Sequence, residues 1–160
     1  MLRIVPARLR SLNSSTMTGK HLDPAHCVCA TLRKATRNVT QLYDDALRPA
    51  GLRATQFQTL SAIRNAGEAT VTKLTELLLV DQTTLTRNLA VLERGGLIKD
   101  VQKPDGRLKS VRLTRKGEQA LQTALPLWAG IQERVTKAIS TRTWATMSAD
   151  LEHLARLSIA

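Results

Sequence analysis

Asp81-Gln82-Thr83-Thr84-Leu85-Thr86-Arg87-Asn88-Leu89-Ala90-Val91-Leu92-Glu93-Arg94-Gly95-Gly96 reads as one helix with its start and stop written into it. Asp81 offers a carboxylate to the free amides of a first turn. Leu85, Leu89 and Leu92 recur at helical spacing and form a stripe to bury, and Gly95-Gly96 ends the element. The opposite face carries Thr83, Thr84, Arg87 and Asn88, short polar groups around one long cation. Directly after it the period changes from helical to alternating. Residues 97–103, the turn Pro104-Asp105-Gly106 and residues 108–113 read as strand, tight turn, strand, with Val111 and Leu113 pointing one way and Ser110 and Arg112 the other.

Upstream, two shorter helices complete a three-helix unit. One is expected from Thr55, with Thr55-Gln56-Phe57-Gln58 as a capping box, Phe57, Leu60 and Ile63 inward, and Gly67 as terminator. The next runs from about Val71 to Leu79 and is expected to bury Leu74, Leu77 and Leu78. Three helices followed by a hairpin describe a winged helix-turn-helix. A helix read against duplex DNA needs one rigidly backed face and one face of side chains that reach base edges. Residues 82–88 meet that demand. Gln82 can bridge an adenine, Thr83, Thr84 and Thr86 can bond a base or a phosphate, and Arg87 can grip a guanine or a phosphate.

Charge is concentrated in the same stretch. Residues 81–116 hold nine Lys and Arg against four Asp and Glu, whereas residues 117–160 hold four of each. Lys103, Arg107 and Lys109 surround the hairpin turn, where an arginine can enter a narrow minor groove. Asp105 would repel DNA and is expected to orient an arginine. Arg115 and Lys116 open the fifth helix, where cations oppose the helix dipole unless a nearby phosphate compensates. A polar helix face or a charged hairpin tip is often only solvated surface; the coincidence of helix, hairpin and charge favours DNA.

Thr114 is expected to cap that long fifth helix, with a stripe of Leu121, Leu125, Trp128, Ile131 or Gln132, Val135 and Ile139, and with Pro126 inside it. A last helix carries Trp144, Met147, Leu151, Leu154 and Leu157. At the other end, Val28, Leu32, Ala35, Val39, Leu42 and Ala46 make a stripe on a first helix that Asp23-Pro24 starts and Pro49 and Gly51 stop.

The whole chain has 160 residues with 24 Lys+Arg and 13 Asp+Glu, a net charge of +11, and a hydrophobic fraction of 42%, enough for a core. The charge favours an anionic partner, nucleic acid first. Only four aromatic residues (Tyr43, Phe57, Trp128, Trp144) argue against a single-strand binder that stacks bases on rings. No apolar run approaches the length of a membrane span. The chain therefore reads as cytoplasmic, with no membrane partner. Residues 1–22 are expected to be a disordered extension: Arg3, Arg8, Arg10 and Lys20 come with no acid among the first 20 residues, a composition that can mimic a transit peptide, and Met17 is an alternative start.

With these residues assembled, the sequence resembles the MarR family of bacterial transcriptional regulators. The resemblance is carried by residues 81–87, by Leu92-Glu93-Arg94-Gly95-Gly96-Leu97-Ile98, and by Asp105-Gly106-Arg107 followed by Val111-Arg112-Leu113-Thr114-Arg115-Lys116-Gly117. The last two match the family's wing pattern D-x-R, then V-x-L-T-x-x-G. It covers about residues 25–158. It implies a mainly α fold with a small β-hairpin wing, in which a winged helix-turn-helix lobe (about 53–114) joins a helical dimerisation lobe (about 25–48 and 115–158). It implies a homodimer on a pseudo-palindromic double-stranded DNA operator, usually as a repressor. Release by a small phenolic or other aromatic effector, or by thiol oxidation, is the family's usual control. Trp128 and Trp144 then fall to core or interface.

Cys27 and Cys29 are the candidate redox-sensing residues. A helix N-terminus favours the thiolate, but positions two apart diverge by about 200° around a helix, so a bridge between them needs local unwinding. The aromatic and tyrosine surroundings of the family's peroxide sensors are absent. His26 beside them suggests a metal, yet three such close neighbours rarely converge from one helix; neither metal nor cofactor is expected. His21, His26 and His153 are scattered, and no phosphate-cradling loop or paired carboxylates appear, so no enzyme is expected. The alternatives are a protein-interaction winged helix that does not bind DNA and, more remotely, a thiol oxidoreductase on Cys27-Val28-Cys29.

Overall fold

The computed structural model describes residues 23, 26–101 and 110–157. Among these residues six α-helices and a small antiparallel sheet follow one another as α1 (Val28–Leu47), a 3-10 turn (Arg48–Ala50), α2 (Ala54–Ala66), β1 (Ala69–Thr70), α3 (Val71–Leu78), α4 (Gln82–Arg94), β2 (Ile98–Val101), β3 (Ser110–Leu113), α5 (Arg115–Ala138) and α6 (Thr141–Ala155). The chain divides into two compact units between Asn38 and Val39, inside α1. The extension at 1–22 and the wing tip at 102–109 lie outside the described residues, as do Pro24 and Ala25.

In the first unit α1 starts later than Asp23-Pro24 suggests. The Asp23 carbonyl accepts the His26 amide at 2.8 Å, and its carboxylate lies 3.5 Å from His26 Nδ1, so the residue closes a turn ahead of the helix. On the α1 stripe solvent reaches Val28 and Leu32 in this unit, and Val39 and Leu42 in the second.

The second unit holds the core. Leu47, Leu60, Ile63, Leu74, Leu92 and Leu121 are fully shielded from solvent, each side chain contributing roughly 1.5–3 kcal/mol by leaving water. Leu85 and Leu89 join Leu92 as expected, fixing the inner face of α4. Phe57 stacks on Trp128 of α5 with ring centroids 5.8 Å apart.

Four local expectations change. The α2 cap sits upstream of Thr55: Gln56 Oε1 accepts the Arg53 amide at 2.9 Å, and Asp44 Oδ1 on α1 accepts the Ala54 amide at 2.7 Å. A tertiary carboxylate meets the first turn, which leaves Thr55 inside the helix. On α3, Leu74 is buried and Leu78 half-buried, but Leu77 is 51% exposed because it lies about 100° round the helix from Leu78. The wing is part of a three-stranded sheet, order β1-β3-β2, in which β1 pairs Ala69 with Val111 and Thr70 with Ser110. That third strand also explains Ser110. Covered by β1, its side chain is buried rather than outward, and it donates to Glu68 Oε1 at 2.7 Å.

Candidate nucleic-acid interface

The N-terminus of α4 is held by its own first residues. Asp81 Oδ1 accepts the Thr84 amide at 2.8 Å, and Oδ2 accepts the Thr84 hydroxyl at 2.6 Å. Both donors favour the charged carboxylate and hold the Asp81 pKa below its ordinary value. The Thr86 hydroxyl donates to the Gln82 carbonyl at 2.7 Å. The hydroxyl protons of Thr84 and Thr86 are therefore committed within the helix, and toward a ligand both groups are left as acceptors. Gln82, Thr83 and Arg87 are exposed on the same helix. Among the described residues none of these three side chains has a recorded hydrogen bond or ion pair.

Asn88 does not join this face. Its Nδ2 donates to Thr59 Oγ1 at 2.8 Å and lies 3.4 Å from the Thr55 carbonyl, so it points into α2. The physical reason is angular: Asn88 follows Arg87 by about 100°, which turns it toward the Leu85 and Leu89 side of the helix.

The junction between α4, the sheet and α5 is closely built. Thr114 caps α5 as expected, its Oγ1 accepting the Gly117 amide at 3.1 Å while donating to the Gly96 carbonyl at 2.6 Å. A Cβ at Gly117 would lie 2.0 Å from the Leu97 carbonyl oxygen, so only glycine permits this approach. The Lys116 ammonium donates to the Gly95 carbonyl at 2.8 Å. Its charge at the start of α5 is thus met by the carbonyl end of α4, with no phosphate required. Arg115 remains exposed. Lys103, Arg107 and Lys109 lie in 102–109, outside the described residues.

One pair of cations was not singled out from sequence. Lys99 and Arg112 are exposed and stand directly opposite each other on β2 and β3. Like charges in that position repel. The register joining them depends on pairing across the hairpin, although their phase opposite to Ile98 and Val111 was a readable signal.

A cavity of about 580 Å³ lies in the second unit between α1, α2 and α5, lined by Tyr43, Phe57, Gln58, Ser61, Arg64 and Trp128 among others. The Tyr43 hydroxyl donates to Gln132 Oε1 on α5, and burial pushes the Tyr43 pKa up. In the first unit Cys27 and Cys29 are free thiols and both are exposed. Among the described residues no cluster of three metal-ligating side chains forms, and no helix is long and apolar enough to cross a membrane.

Helices α2 to α4 with the hairpin sheet behind them constitute a winged helix-turn-helix. A family model described as the MarR family matches residues 50–108. The transcriptional regulator MosR of M. tuberculosis, solved in complex with DNA, is 43% identical, with 81% of this chain and 94% of that chain covered and a TM-score of 0.75. A mutant MarR from E. coli complexed with operator DNA is 26% identical, covering 79% of this chain and 91% of that one, with a TM-score of 0.72. An HTH-type transcriptional regulator of Bacillus cereus is 37% identical over 95 residues, 59% of this chain. That match spans 63% of the relative's own length. The chain belongs to the MarR family of transcriptional regulators. Membership sets the enzyme reading aside.

Proposed function

We propose that the chain acts as a homodimer that binds a pseudo-palindromic double-stranded DNA operator and represses transcription from it. Helix α4 enters the major groove, where Gln82, Thr83 and Arg87 meet base edges and Thr84 and Thr86 accept from base donors. Lys103, Arg107 and Lys109 of the wing enter the minor groove, and Arg115 lies against a phosphate. The winged-helix lobe is assigned to about 53–114 and the dimerisation lobe to about 25–48 and 115–158.

The observation that carries this reading is the state of Arg87. It is exposed on a helix whose other face is locked into the core, and no partner for it is recorded among the described residues. The DNA-bound structures of two similar regulators support the same use of the fold. Dimerisation is supported by the exposed apolar residues of α1 and by Leu154 and Leu157 at and beyond the C-terminal end of α6. An aromatic effector in the cavity beside Phe57 and Trp128 is the favoured release signal. The exposed Cys27 and Cys29 support oxidation as the second, and E. coli MarR has itself been solved in oxidised and reduced forms.

Selection of bound duplexes from a random pool, repeated with candidate phenols and with peroxide, tests the proposal. Arg87→Ala is expected to cost about 1–3 kcal/mol of operator binding and to relax base preference at one position of each half-site. Arg107→Ala should weaken binding with less change in preference. Binding that ignores salt concentration would favour the protein-interaction alternative, because releasing counterions from DNA imposes a steep salt dependence. Unchanged release by peroxide in a Cys27→Ser/Cys29→Ser variant would remove the thiol route.

A further inference from the structure

A helix that reads base edges must be fixed in rotation and register as well as in place, since small misplacements of a recognition group are costly. The inner face of α4 is made of Leu85, Leu89 and Leu92. Burial of such a row is strong but non-directional, and tolerates small rolls and slides. A directional contact crosses the same interface at Asn88. Its Nδ2 donates to Thr59 Oγ1 at 2.8 Å, and the Thr59 hydroxyl in turn donates to the Thr55 carbonyl at 2.9 Å. Thr59 is only 2% exposed, so the bond is shielded from competing water. Both polar atoms of the pair have partners, and the geometry fixes where Asn88 points on α2.

We propose that Asn88 is a positioning residue for DNA recognition: its bond to Thr59 sets the rotation of α4 on α2 and thereby the aim of the neighbouring Arg87 and of Gln82. The inference rests on the DNA-binding reading above. Asn88 touches no base in this scheme. Its loss therefore acts on specificity and leaves the phosphate contacts in number as they were.

The test compares operator affinity with affinity for unrelated duplex in wild type, Asn88→Leu, Thr59→Val, the double variant and Thr59→Ser. Replacing both partners by apolar groups of similar shape is close to neutral for stability, so the double variant keeps the fold measurable even where a single change does not. The expected result is a fall in the operator-to-unrelated ratio of about tenfold in each single variant. The double variant should lose no more than either, and Thr59→Ser, which keeps the hydroxyl, should retain the wild-type ratio. The salt slope of unrelated-duplex binding should stay unchanged throughout. A folded double variant with the wild-type ratio would overturn the proposal, as would losses that simply add. A wild-type chain that enriches no duplex would overturn the DNA reading itself, and this inference with it.

Discussion

Helix α4 and helix α6 solve the burial problem differently. On α4 the three core leucines are all buried, the N-cap carboxylate is doubly bonded, and Asn88 is tied to α2. On α6 none of the residues whose burial is described is fully buried, Leu154 is exposed, and Leu157 just past the helix is exposed too. Helix α1 sides with α6, keeping only Leu47 buried over 20 residues. Within a single chain α4 is therefore finished, whereas α1 and α6, two of the three helices proposed for dimerisation, keep apolar surface exposed; the third, α5, buries Leu121, Ala124 and Ile131. On the proposed function, the reading helix is complete within one chain, and the helices proposed for dimerisation would gain their missing burial from a second copy.

That contrast can be broken most sharply by truncation on each side. Leu92→Ala should cost about 2–5 kcal/mol in urea unfolding, at any protein concentration, because it opens a cavity in a closed core. Leu42→Ala, at a side chain 38% exposed in the single chain, should instead lower the midpoint by an amount that depends on protein concentration. Equal, concentration-independent losses for both would remove the distinction.

Gly117→Ala probes the joint between the two regions. The added methyl would meet the Leu97 carbonyl at 2.0 Å, which is backbone and unable to swing aside. The expected loss is about 3 kcal/mol, at the upper end of ordinary overpacking. It should be visible as a lower melting temperature, with weaker operator binding as α5 is pushed off the α4–β2 turn. A melt superimposable on wild type would mean that the close approach is not kept in solution.

How much of this was legible depended on how far apart in sequence the partners lie. Asp81, Thr114, Gly95-Gly96 and the leucine stripe of α4 act on residues within a few positions of themselves, and each was readable from spacing. Ser110 and Glu68 are 42 positions apart, and Asn88 and Thr59 are 29 apart, so no local pattern announces either bond. Strand β1 is two residues long, too short to alternate. The α2 cap moved because Asp44, 10 positions upstream of Ala54, takes the first amide. For the candidate site, the residue types of α4 were readable, but which hydroxyls are already spent was not. Thr84 and Thr86 looked equal to Thr83 until their donors were seen to close on Asp81 and Gln82.

The N-terminal cap of α4 offers a smaller test of its self-sufficiency. Because the Asp81 pKa is depressed in the folded chain, the carboxylate contributes stability that is present above its unfolded value and lost as pH falls through the folded one. Asp81→Ala should therefore unfold at lower urea than wild type at neutral pH, and the gap should close as the solution is acidified through the carboxylate range. A gap that persists unchanged under acid would assign the effect to something other than the charged cap.

The smallest effect is expected at the turn between α3 and α4, the one place in this region where backbone and side chain disagree. Leu79 caps α3 in the left-handed conformation, φ +50, with 65% of its surface exposed. A left-handed L-residue costs roughly 1–2 kcal/mol, while glycine returns about 0.5–1 kcal/mol of that through its freer unfolded chain. Since little packing is lost at so exposed a position, Leu79→Gly should raise stability by about 0.5 kcal/mol. The α4 face is held by Asp81, the leucines and Asn88 rather than by this turn, so operator specificity should not change. A stabilised variant with altered specificity would show that the strained turn, and not the α2 contact, sets how α4 is presented.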